Sequence, residues 1–262
     1  MALSEETIEA LAEKVDEAAR TTTPLTMLTA ELPELTLDEA YTIQRASIAR
    51  RLERGERLVG MKMGLTSRAK MEQMGVHEPI YGHLTSSMTL SDGATIAHGD
   101  YCHPRVEPEI AFIMGADIAG TPTPREALAA VSGVCGALEV IDSRYKDFKF
   151  TLIDVVADNA SSTGYVLGTR VRPASELDLG NLGMVMSVNG QVVETGSSAA
   201  ILEHPARSLA ALITMLHARG EGLKKGQVVL AGGATKAVAL KPGDQVTLEV
   251  EGLGRVALGV AG

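Results

Sequence analysis

Hydrophobic residues at the start of the chain recur at helical spacing. The positions follow an i, i+3, i+4, i+7 pattern, which forms one face of a helix, and are Ile8, Leu11, Ala12 and Val15. Ser4 lies just before this pattern and is followed by two glutamates, which predicts a capped, acidic first turn. Thr36 and Glu39 have the spacing of a capping box and predict a second helix that ends near Arg54. We therefore predict a helical N-terminal region over residues 1–56.

From residue 57 onward the pattern changes to short apolar or β-branched runs separated by glycine and proline. These runs predict strands at 58–63, 106–114, 134–141, 166–167, 184–188, 191–193, 228–230, 245–250 and 255–260. The Asn189-Gly190 pair predicts a two-residue hairpin turn, and Pro205 and Gly220 delimit a helix over 205–219. Many short strands with few long helices predict an α+β fold with a mixed-sheet catalytic domain over residues 57–262. A Rossmann alternation is not supported.

Composition and charge narrow the classes of function. The chain has 262 residues, of which 45% are hydrophobic and 22% charged, as in ordinary folded proteins. The formal net charge of −9 and a pI near 5.2 argue against a nucleic-acid partner, which needs a basic surface. No apolar run approaches the roughly 20 residues that span a bilayer, and the N-terminus lacks the pattern of a secretory signal. We expect a cytoplasmic protein with neither nucleic acid nor membrane as partner, in which Cys102 and Cys135 are reduced thiols.

The segment around Glu107 and Glu109 contains the clearest candidate chemistry. In a strand the two carboxylates point to the same face, because side chains alternate with period two. The strand continues into an apolar run typical of burial on both faces, and buried carboxylates need a neutralising cation. Glu139, in a second apolar run, is a candidate third ligand for Mg²⁺ or Mn²⁺. The pattern of Glu107 and Glu109 also fits a solvated strand face, and the residues alone do not decide between the two interpretations.

Lys62 is the second candidate. It lies in an apolar strand, where desolvation lowers a lysine pKa and suits a proton-transfer group or an anion clamp. The alternative is an edge-strand lysine that discourages aggregation. The turn that follows leads into a predicted helix, and its residues Leu65, Thr66 and Ser67 are candidates to bind a substrate carboxylate through backbone N–H groups. Simple capping by Ser67 explains the same residues equally well.

Two polar segments supply further candidates for substrate contact. Asp142 and Arg144 follow the Glu139 strand, and Ser161 lies in the small, polar turn 158–162. The alternative for each is a polar loop residue without a binding function. The six histidines do not have metal-ligand spacing, and four are interpreted as surface or structural residues: His98, His103, His204 and His217.

Three motifs near the C-terminus make the chain recognisable. They are Gly-Gln-Val-Val-Leu-Ala-Gly at 226–232, Lys-Pro-Gly-Asp at 241–244 and Glu-Gly-Leu-Gly at 251–254. With these motifs the chain resembles the fumarylacetoacetate hydrolase superfamily. The resemblance implies a fumarylacetoacetate-hydrolase-like mixed β-sheet roll with a helical N-terminal region. It also implies that Glu107, Glu109 and Glu139 bind Mg²⁺ or Mn²⁺.

Within the superfamily, essentially the whole chain resembles the branch of hydratases and decarboxylases that act in aromatic meta-cleavage pathways. Residues 62–76 and the turn 232–235 look most like the decarboxylases. The resemblance implies a 2-oxo dicarboxylate substrate, 2-oxo-3-hexenedioate, which loses CO₂ in a metal-dependent reaction. It places Lys62 near the 2-oxo group and implies association with a 2-hydroxypentadienoate hydratase.

The sequence is also compatible with three alternative functions. A sister enzyme would hydrate 2-hydroxypenta-2,4-dienoate, and a more distant relative would hydrolyse a C–C bond of an acylpyruvate. A third possibility is a non-catalytic partner subunit of a hydratase. The sequence has no clear His–Glu pair for the hydrolase, and the intact set of three acids weighs against the non-catalytic subunit.

Overall fold

The N-terminal region is helical, as predicted. In the computed structural model, which describes residues 3–67, 71 and 78–262, it contains α1 (Glu5–Arg20), α2 (Leu28–Glu31) and α3 (Leu37–Glu53). Ser4 caps α1 by accepting a hydrogen bond from the backbone N–H of Thr7, and Thr36 forms the predicted capping box of α3 with Glu39. The short helix α2, in the loop between the other two, was not predicted.

The larger of the two sheets has eight strands among the described residues. They are β1 (Leu58–Gly64), β2 (Ile80–Thr85), β3 (Thr89–Leu90), β5 (Arg105–Met114), β6 (Val131–Ile141), β7 (Ser162–Leu167), β10 (Val228–Leu230) and β11 (Val238–Ala239). Their order is β2-β1-β10-β5-β6-β7-β3, and β11 pairs with β5. The sheet is mixed, because the β1–β10 and β3–β7 pairs are parallel and the others are antiparallel.

The second sheet has the order β4-β13-β12-β8-β9. Its strands are β4 (Thr95–Ala97), β8 (Gly183–Val188), β9 (Gln191–Ser197), β12 (Gln245–Val250) and β13 (Gly254–Ala261). The predicted hairpin turn joins β8 and β9, where Asn189 and Gly190 have φ values of 53° and 78°. Among the described residues after β1 there are three further α-helices: α4 (Pro124–Ala129), α5 (Leu152–Ala157) and α6 (Pro205–His217). Only α6 was predicted.

The two sheets and the N-terminal helices share one continuous apolar core. Leu11 and Val15 of α1 belong to the same buried cluster as Val134 of the large sheet and Leu248 of the second sheet. The proposed boundary at residue 57 separates two kinds of element, and the division into a helical N-terminal region and a mixed-sheet catalytic domain stays a prediction. The mixed α+β fold with its helical N-terminal region is confirmed.

A smaller apolar cluster lies on the other face of the large sheet. Strand register places its strand residues on one face, and its members are Leu84, Ala111, Cys135, Ala137, Tyr165, Val228 and Leu230, together with Met88 from the turn before β3. We call this side the inner face of the large sheet. Cys135 and Cys102 are free thiols, as expected. In the described part of the chain, no helix has both the length and the apolar character needed to cross a bilayer.

Candidate active site with a carboxylate cluster

The three predicted metal ligands converge on the inner face of the large sheet. Glu107 on β5 lies directly opposite Glu139 on the antiparallel strand β6, and opposed residues share a face. Glu109 is two residues further along β5 and therefore points the same way. One carboxylate oxygen from each residue lies within 4.8 Å of the other two, and all three residues are buried. The solvated strand face considered from the sequence is wrong for this pair.

Two glycines allow another segment to close over the cluster. The backbone N–H of Gly232 donates a hydrogen bond of 2.7 Å to Glu109 Oε2. A Cβ atom at Gly233 would lie 2.8 Å from the carboxyl carbon of Glu107, and one at Gly232 would lie 2.1 Å from Thr66 Oγ1. Gly232 also has a φ of 114°, which only glycine adopts readily. The chain after β10 can pass this close to Thr66 and to the Glu107 carboxylate only because both residues lack a side chain.

Lys62 lies on the same face as the carboxylates. It is in β1, an interior strand between β2 and β10, and only 2% of its surface is exposed. Its Nζ lies 3.1 Å from Glu139 Oε2 and donates a hydrogen bond of 3.0 Å to the carbonyl oxygen of Ala160. The alternative of an edge-strand lysine is therefore wrong.

Burial and mutual repulsion dominate the electrostatics of the cluster. Burial, reinforced by the charge of Glu139, raises the pKa of Glu109 well above its ordinary value, and burial also raises the pKa of Glu139. For Lys62, burial opposes the charge, but the three carboxylates outweigh it and raise the lysine pKa. The sequence-based expectation of a lowered pKa for Lys62 is wrong, because the neighbouring charges were not accounted for.

The donor set fits a hard divalent ion. Among the described residues, Glu109 and Glu139 lie beside the single ammonium of Lys62, and two buried carboxylates so close together repel each other unless a further cation compensates them. Glu109 Oε1 and Glu139 Oε1 are both buried, and neither has a hydrogen-bond partner in the described parts of the chain. Clustered, unsatisfied carboxylate oxygens are the ligands preferred by Mg²⁺ and Mn²⁺.

A strained loop forms another wall of the site. Asn159, Ala160 and Ser161 have consecutive positive φ values of 52°, 50° and 58°. Such backbone conformations persist for non-glycine residues only where surrounding contacts enforce them, and they cluster at functional sites. The Ala160 carbonyl accepts the hydrogen bond from Lys62, and Ser161 Oγ is buried without a hydrogen-bond partner within the described residues. Substrate contact by Ser161 stays a prediction.

The turn after β1 also approaches the cluster. Leu65 has a φ of 54°, and Thr66 is buried against the Gly232 turn that contacts Glu109. The carbonyl of Thr66 accepts a hydrogen bond of 2.8 Å from the backbone N–H of Leu202. The turn is thus near the carboxylates, and substrate binding by Leu65, Thr66 and Ser67 stays a prediction. The helix predicted after Ser67 falls mostly on residues 68–70 and 72–77, which lie outside the described residues.

The side chains of Asp142 and Arg144 make hydrogen bonds and an ion pair with other parts of the protein. The Asp142 carboxylate accepts hydrogen bonds from the backbone N–H groups of Cys102 and His103. The Arg144 Nε lies 2.5 Å from Asp158 Oδ1, and its remaining nitrogens donate to backbone carbonyls and to Thr163. None of these hydrogen bonds or ion pairs reaches the carboxylate cluster. Substrate contact by Asp142 and Arg144 stays a prediction without support from this geometry.

Sequence reasoning did not assign a function to two features of the site. The Gly232-Gly233 pair was noticed for its resemblance to decarboxylases, but its approach to the carboxylates was not foreseen. The sequence does contain a signal for this approach, because a glycine pair directly after a buried strand indicates that another part of the protein comes close to the backbone. Asn159, whose amide holds the strained loop, had no such signal, because its partners are on a strand 76 residues away.

The fold and the cluster define the class of α+β proteins with a buried carboxylate site suited to a divalent ion. The chain belongs to the fumarylacetoacetate hydrolase family, since the model described as fumarylacetoacetate (FAA) hydrolase C-terminal matches residues 57–261. The resemblance inferred from the C-terminal motifs is thereby confirmed.

Relatives of known name refine this assignment. The chain is 51% identical over 255 residues to a 4-oxalocrotonate decarboxylase of Pseudomonas sp, covering 97% of this chain and 98% of the relative. It is 38% identical over 249 residues to a 2-keto-4-pentenoate hydratase of Paraburkholderia xenovorans (strain LB400), covering 95% and 93%. The solved structure of 4-oxalocrotonate decarboxylase from Pseudomonas putida G7, complexed with magnesium and adipate, matches with a TM-score of 0.96. That match has 42% identity and covers 99% of each chain. The predicted resemblance to the decarboxylases is confirmed.

Proposed function

We propose that this protein is a metal-dependent carboxy-lyase that converts 2-oxo-3-hexenedioate (4-oxalocrotonate) to 2-hydroxypenta-2,4-dienoate and CO₂. The observation on which the proposal rests is the buried cluster of three carboxylates within 4.8 Å, with Lys62 on the same face. The decarboxylases most similar in sequence and structure support it. Adipate, bound in the solved relative, is a six-carbon dicarboxylate like the proposed substrate.

Glu107, Glu109 and Glu139 would hold Mg²⁺ or Mn²⁺ in this chain. When bound, the ion would supply the Lewis acidity that stabilises negative charge developing on the 2-oxo oxygen. Stabilising this charge would promote decarboxylation, because the distal carboxylate of the substrate is vinylogous to that of a β-keto acid. Breaking the C5–C6 bond releases CO₂ and sends the electron pair through the alkene to the 2-oxo oxygen.

The product needs one proton on that oxygen. Lys62 is suited to hold or deliver it, because its ammonium is buried and its position is fixed by Glu139 and the Ala160 carbonyl. The same inner face has an apolar cluster that includes Ala111 and Ala137, next to the carboxylates along β5 and β6. An apolar surface favours conversion of a carboxylate to neutral CO₂, since the ionised group is poorly solvated there.

The test of the proposal uses the purified protein with 2-oxo-3-hexenedioate and Mg²⁺. CO₂ release and dienol absorbance are followed together, with and without a chelator. We expect both signals to rise in parallel and both to stop when the metal is removed. Loss of 2-hydroxypenta-2,4-dienoate without gas would instead identify a hydratase, the alternative favoured by the 38% identity to a hydratase. Base consumption with acylpyruvates would identify a hydrolase, and no turnover at all a non-catalytic subunit.

The role of Lys62 has its own test. Lys62→Ala should lower kcat for CO₂ release by about 10²- to 10⁴-fold, the usual contribution of a positioned acid or base. Lys62→Arg keeps the positive charge, but its guanidinium is a much weaker acid than the ammonium, so it should also be impaired. Both variants are measured at saturating Mg²⁺, because removal of the ammonium changes the charge around the metal ligands. A near-normal kcat for Lys62→Ala would contradict this role.

A complex with a 2-hydroxypentadienoate hydratase follows from the proposed chemistry, because the product of this enzyme is the substrate of that one. Size-exclusion chromatography of the two purified proteins, alone and mixed, tests it. We expect a joint peak at earlier elution. Two unchanged peaks would limit the partner to the small-molecule substrate. The cytoplasmic location stays a prediction.

A further inference from the structure

The side chain of Asn159 acts as a substitute strand partner for β2. Its Nδ2 donates a hydrogen bond of 2.9 Å to the carbonyl of His83, and its Oδ1 accepts one of 2.7 Å from the backbone N–H of His83. β2 is the last strand of the large sheet on that side, so this edge would otherwise present unpaired backbone groups. Asn159 is buried, and both functional ends of its amide are used.

The loop that begins at Asn159 lies directly on Gly82. A Cβ atom at Gly82 would be 2.4 Å from the carbonyl oxygen of Asn159, so a larger residue there would push the loop away. Gly82 is also the strand partner of Lys62 in the β1–β2 register. The contact therefore fixes the loop next to the lysine and not merely somewhere along the edge of β2.

The two hydrogen bonds from the Asn159 amide to His83, which we call the amide clamp, affect the position of the next residue. Ala160 follows Asn159 and has a φ of 50°, which turns its carbonyl toward Lys62 at 3.0 Å from Nζ. The same Nζ lies 3.1 Å from Glu139. Three successive left-handed residues are unfavourable by themselves. The two hydrogen bonds of the Asn159 amide hold the start of this loop on β2, and the Ser161 carbonyl at its end accepts a hydrogen bond from the backbone N–H of Asp142.

We propose that Asn159 is a positioning residue for catalysis: its amide clamp on His83 holds the Ala160 carbonyl where it orients Lys62 toward the carboxylate cluster. The inference rests on the proposed decarboxylation. Asn159 touches neither the carboxylates nor the substrate in this scheme, and it acts only through the loop. Its removal should therefore change turnover and leave metal binding nearly intact.

The chain offers a matched control for this test. Asn189 also has a left-handed backbone, with a φ of 53°, and its side chain also makes two hydrogen bonds. Its Nδ2 donates to Asp244 Oδ1 at 3.0 Å, and its Oδ1 accepts from the backbone N–H of Gln245 at 2.9 Å. Asn189 lies in the hairpin of the second sheet, so replacing it reproduces the loss of an asparagine clamp away from the lysine.

The experiment compares Asn159→Gly with Asn189→Gly. Glycine tolerates the positive φ, so each substitution removes the side-chain hydrogen bonds without adding backbone strain. For Asn159→Gly we expect kcat for CO₂ release to fall about 10- to 100-fold, the size of effect that misplacement of a catalytic group produces. We expect KM and the Kd for Mg²⁺ to stay within about threefold of wild type. Asn189→Gly should keep kcat within about twofold.

A second variant displaces the loop while the Asn159 side chain is retained. Gly82→Ala pushes on the Asn159 carbonyl and should lower kcat in the same way, with the Mg²⁺ Kd again little changed. An unchanged kcat in Asn159→Gly, or an equal loss in Asn189→Gly, would overturn the proposal. A parallel loss of Mg²⁺ binding would also overturn it, since a merely structural role would disturb the whole site.

A crystal structure of Asn159→Gly separates failure of this inference from failure of the proposed function. We expect the distance from Lys62 Nζ to the Ala160 carbonyl to exceed about 3.5 Å, beyond hydrogen-bonding range, while the three carboxylates stay clustered. If wild type releases no CO₂, the proposed function fails, and this distance still decides whether Asn159 positions the lysine. A retained contact at the wild-type length would reject the clamp.

Discussion

Glu109 shows how the candidate site depends on groups that are unfavourable in isolation. It is fully buried, its Oε2 is bound by the Gly232 N–H, and its Oε1 has no hydrogen-bond partner in the described chain. A buried carboxylate in this state destabilises the fold unless a cation compensates it. The proposed metal site would account for Glu109 beside Glu107 and Glu139, whereas stability alone would not.

Substituting Glu109 tests this conflict between stability and function. Glu109→Gln keeps the shape but removes the charge, so we expect the Kd for Mn²⁺, measured by isothermal titration calorimetry, to rise at least about 100-fold. In the absence of metal, the free energy of unfolding should be equal to or above that of wild type, because the repulsion with Glu139 is gone. Glu249→Gln, at an exposed strand position, is the control and should change neither quantity. Unaltered Mn²⁺ affinity in Glu109→Gln would rule this carboxylate out as a ligand.

The buried ring of His83 leads to a separate prediction about how the stability of the fold depends on pH. Burial lowers the pKa of His83 to about 4, and its Nδ1 has no hydrogen-bond partner among the described residues. The unfolded chain, with an ordinary histidine pKa near 6.5, therefore binds the proton more readily than the folded protein. The neutral ring favours the folded state above pH 6.5, and this contribution is lost as the pH falls toward 4.

The measurement is urea unfolding of wild type and His83→Gln at pH 7 and pH 5. Between these values wild type should lose about 2 kcal/mol more than the variant, which cannot titrate at this position. The backbone groups that Asn159 clamps are unaffected by the substitution. Equal losses in the two proteins would show that the folded-state pKa of His83 is not depressed.

At the scale of elements, the short helix α5 is fastened by one carboxylate. Asp154 accepts hydrogen bonds from the backbone and hydroxyl of Thr151, which form a capping box, and from the backbone and hydroxyl of Thr29 on α2. It is fully buried. This one side chain thus both caps α5 and ties it to the N-terminal region, just before the strained loop of the site.

Asp154→Ala should lower the free energy of unfolding by about 3 kcal/mol, because it removes a cap and leaves buried donors unpaired. Glu126→Ala removes the equivalent capping-box acid of α4, where Thr123 and Glu126 form the same motif at the surface. Its effect on stability should be clearly smaller. Chemical denaturation of both variants checks the contrast, and comparable losses would mean that the connection to Thr29 contributes little.

The elements that sequence patterns predicted are those with strong local signals. The helices α1 and α6 have periodic apolar faces, α3 has a clear capping box, and the β8–β9 hairpin has an Asn-Gly turn. The helices α4 and α5 were missed although each begins with a capping box, because six residues give too little periodicity to recognise. The strand β2 was missed because its sequence, Ile-Tyr-Gly-His-Leu-Thr, is buried throughout and shows no alternation.

At the scale of the whole molecule, the site is assembled from segments that are far apart in sequence. Alternation along β5 is local, so it predicted that Glu107 and Glu109 share a face. The pairing of β1 with β10, and of β10 with β5, brings Lys62 to the carboxylates, and no local pattern specifies these pairings. A second apolar run made Glu139 a candidate third ligand, and the resemblance to a family implied the complete set of three and the proposed function. The positions of Asn159 and Gly82 depend on tertiary packing and could not be predicted.

Metal binding should therefore be visible in the stability of the entire fold. The proposed ligands lie on two strands of the large sheet, so an ion bound only to the folded state would stabilise the whole cooperative unit. At a Mg²⁺ concentration of 100 times Kd, the free energy of unfolding should rise by about 2.7 kcal/mol. For a chain of this size that corresponds to an increase in Tm of about 5–10 °C.

The increase should also depend on pH. Because burial raises the pKa values of Glu109 and Glu139 in the metal-free protein, protons compete with the ion for these oxygens at low pH. Mg²⁺ affinity should then grow as the pH rises, and binding should release protons. Differential scanning calorimetry at pH 6 and pH 8, with Mg²⁺ or with a chelator, should show the larger increase in Tm at pH 8 and almost none in Glu109→Gln. An increase that is the same at both pH values and survives in Glu109→Gln would place the stabilising ion outside this carboxylate cluster.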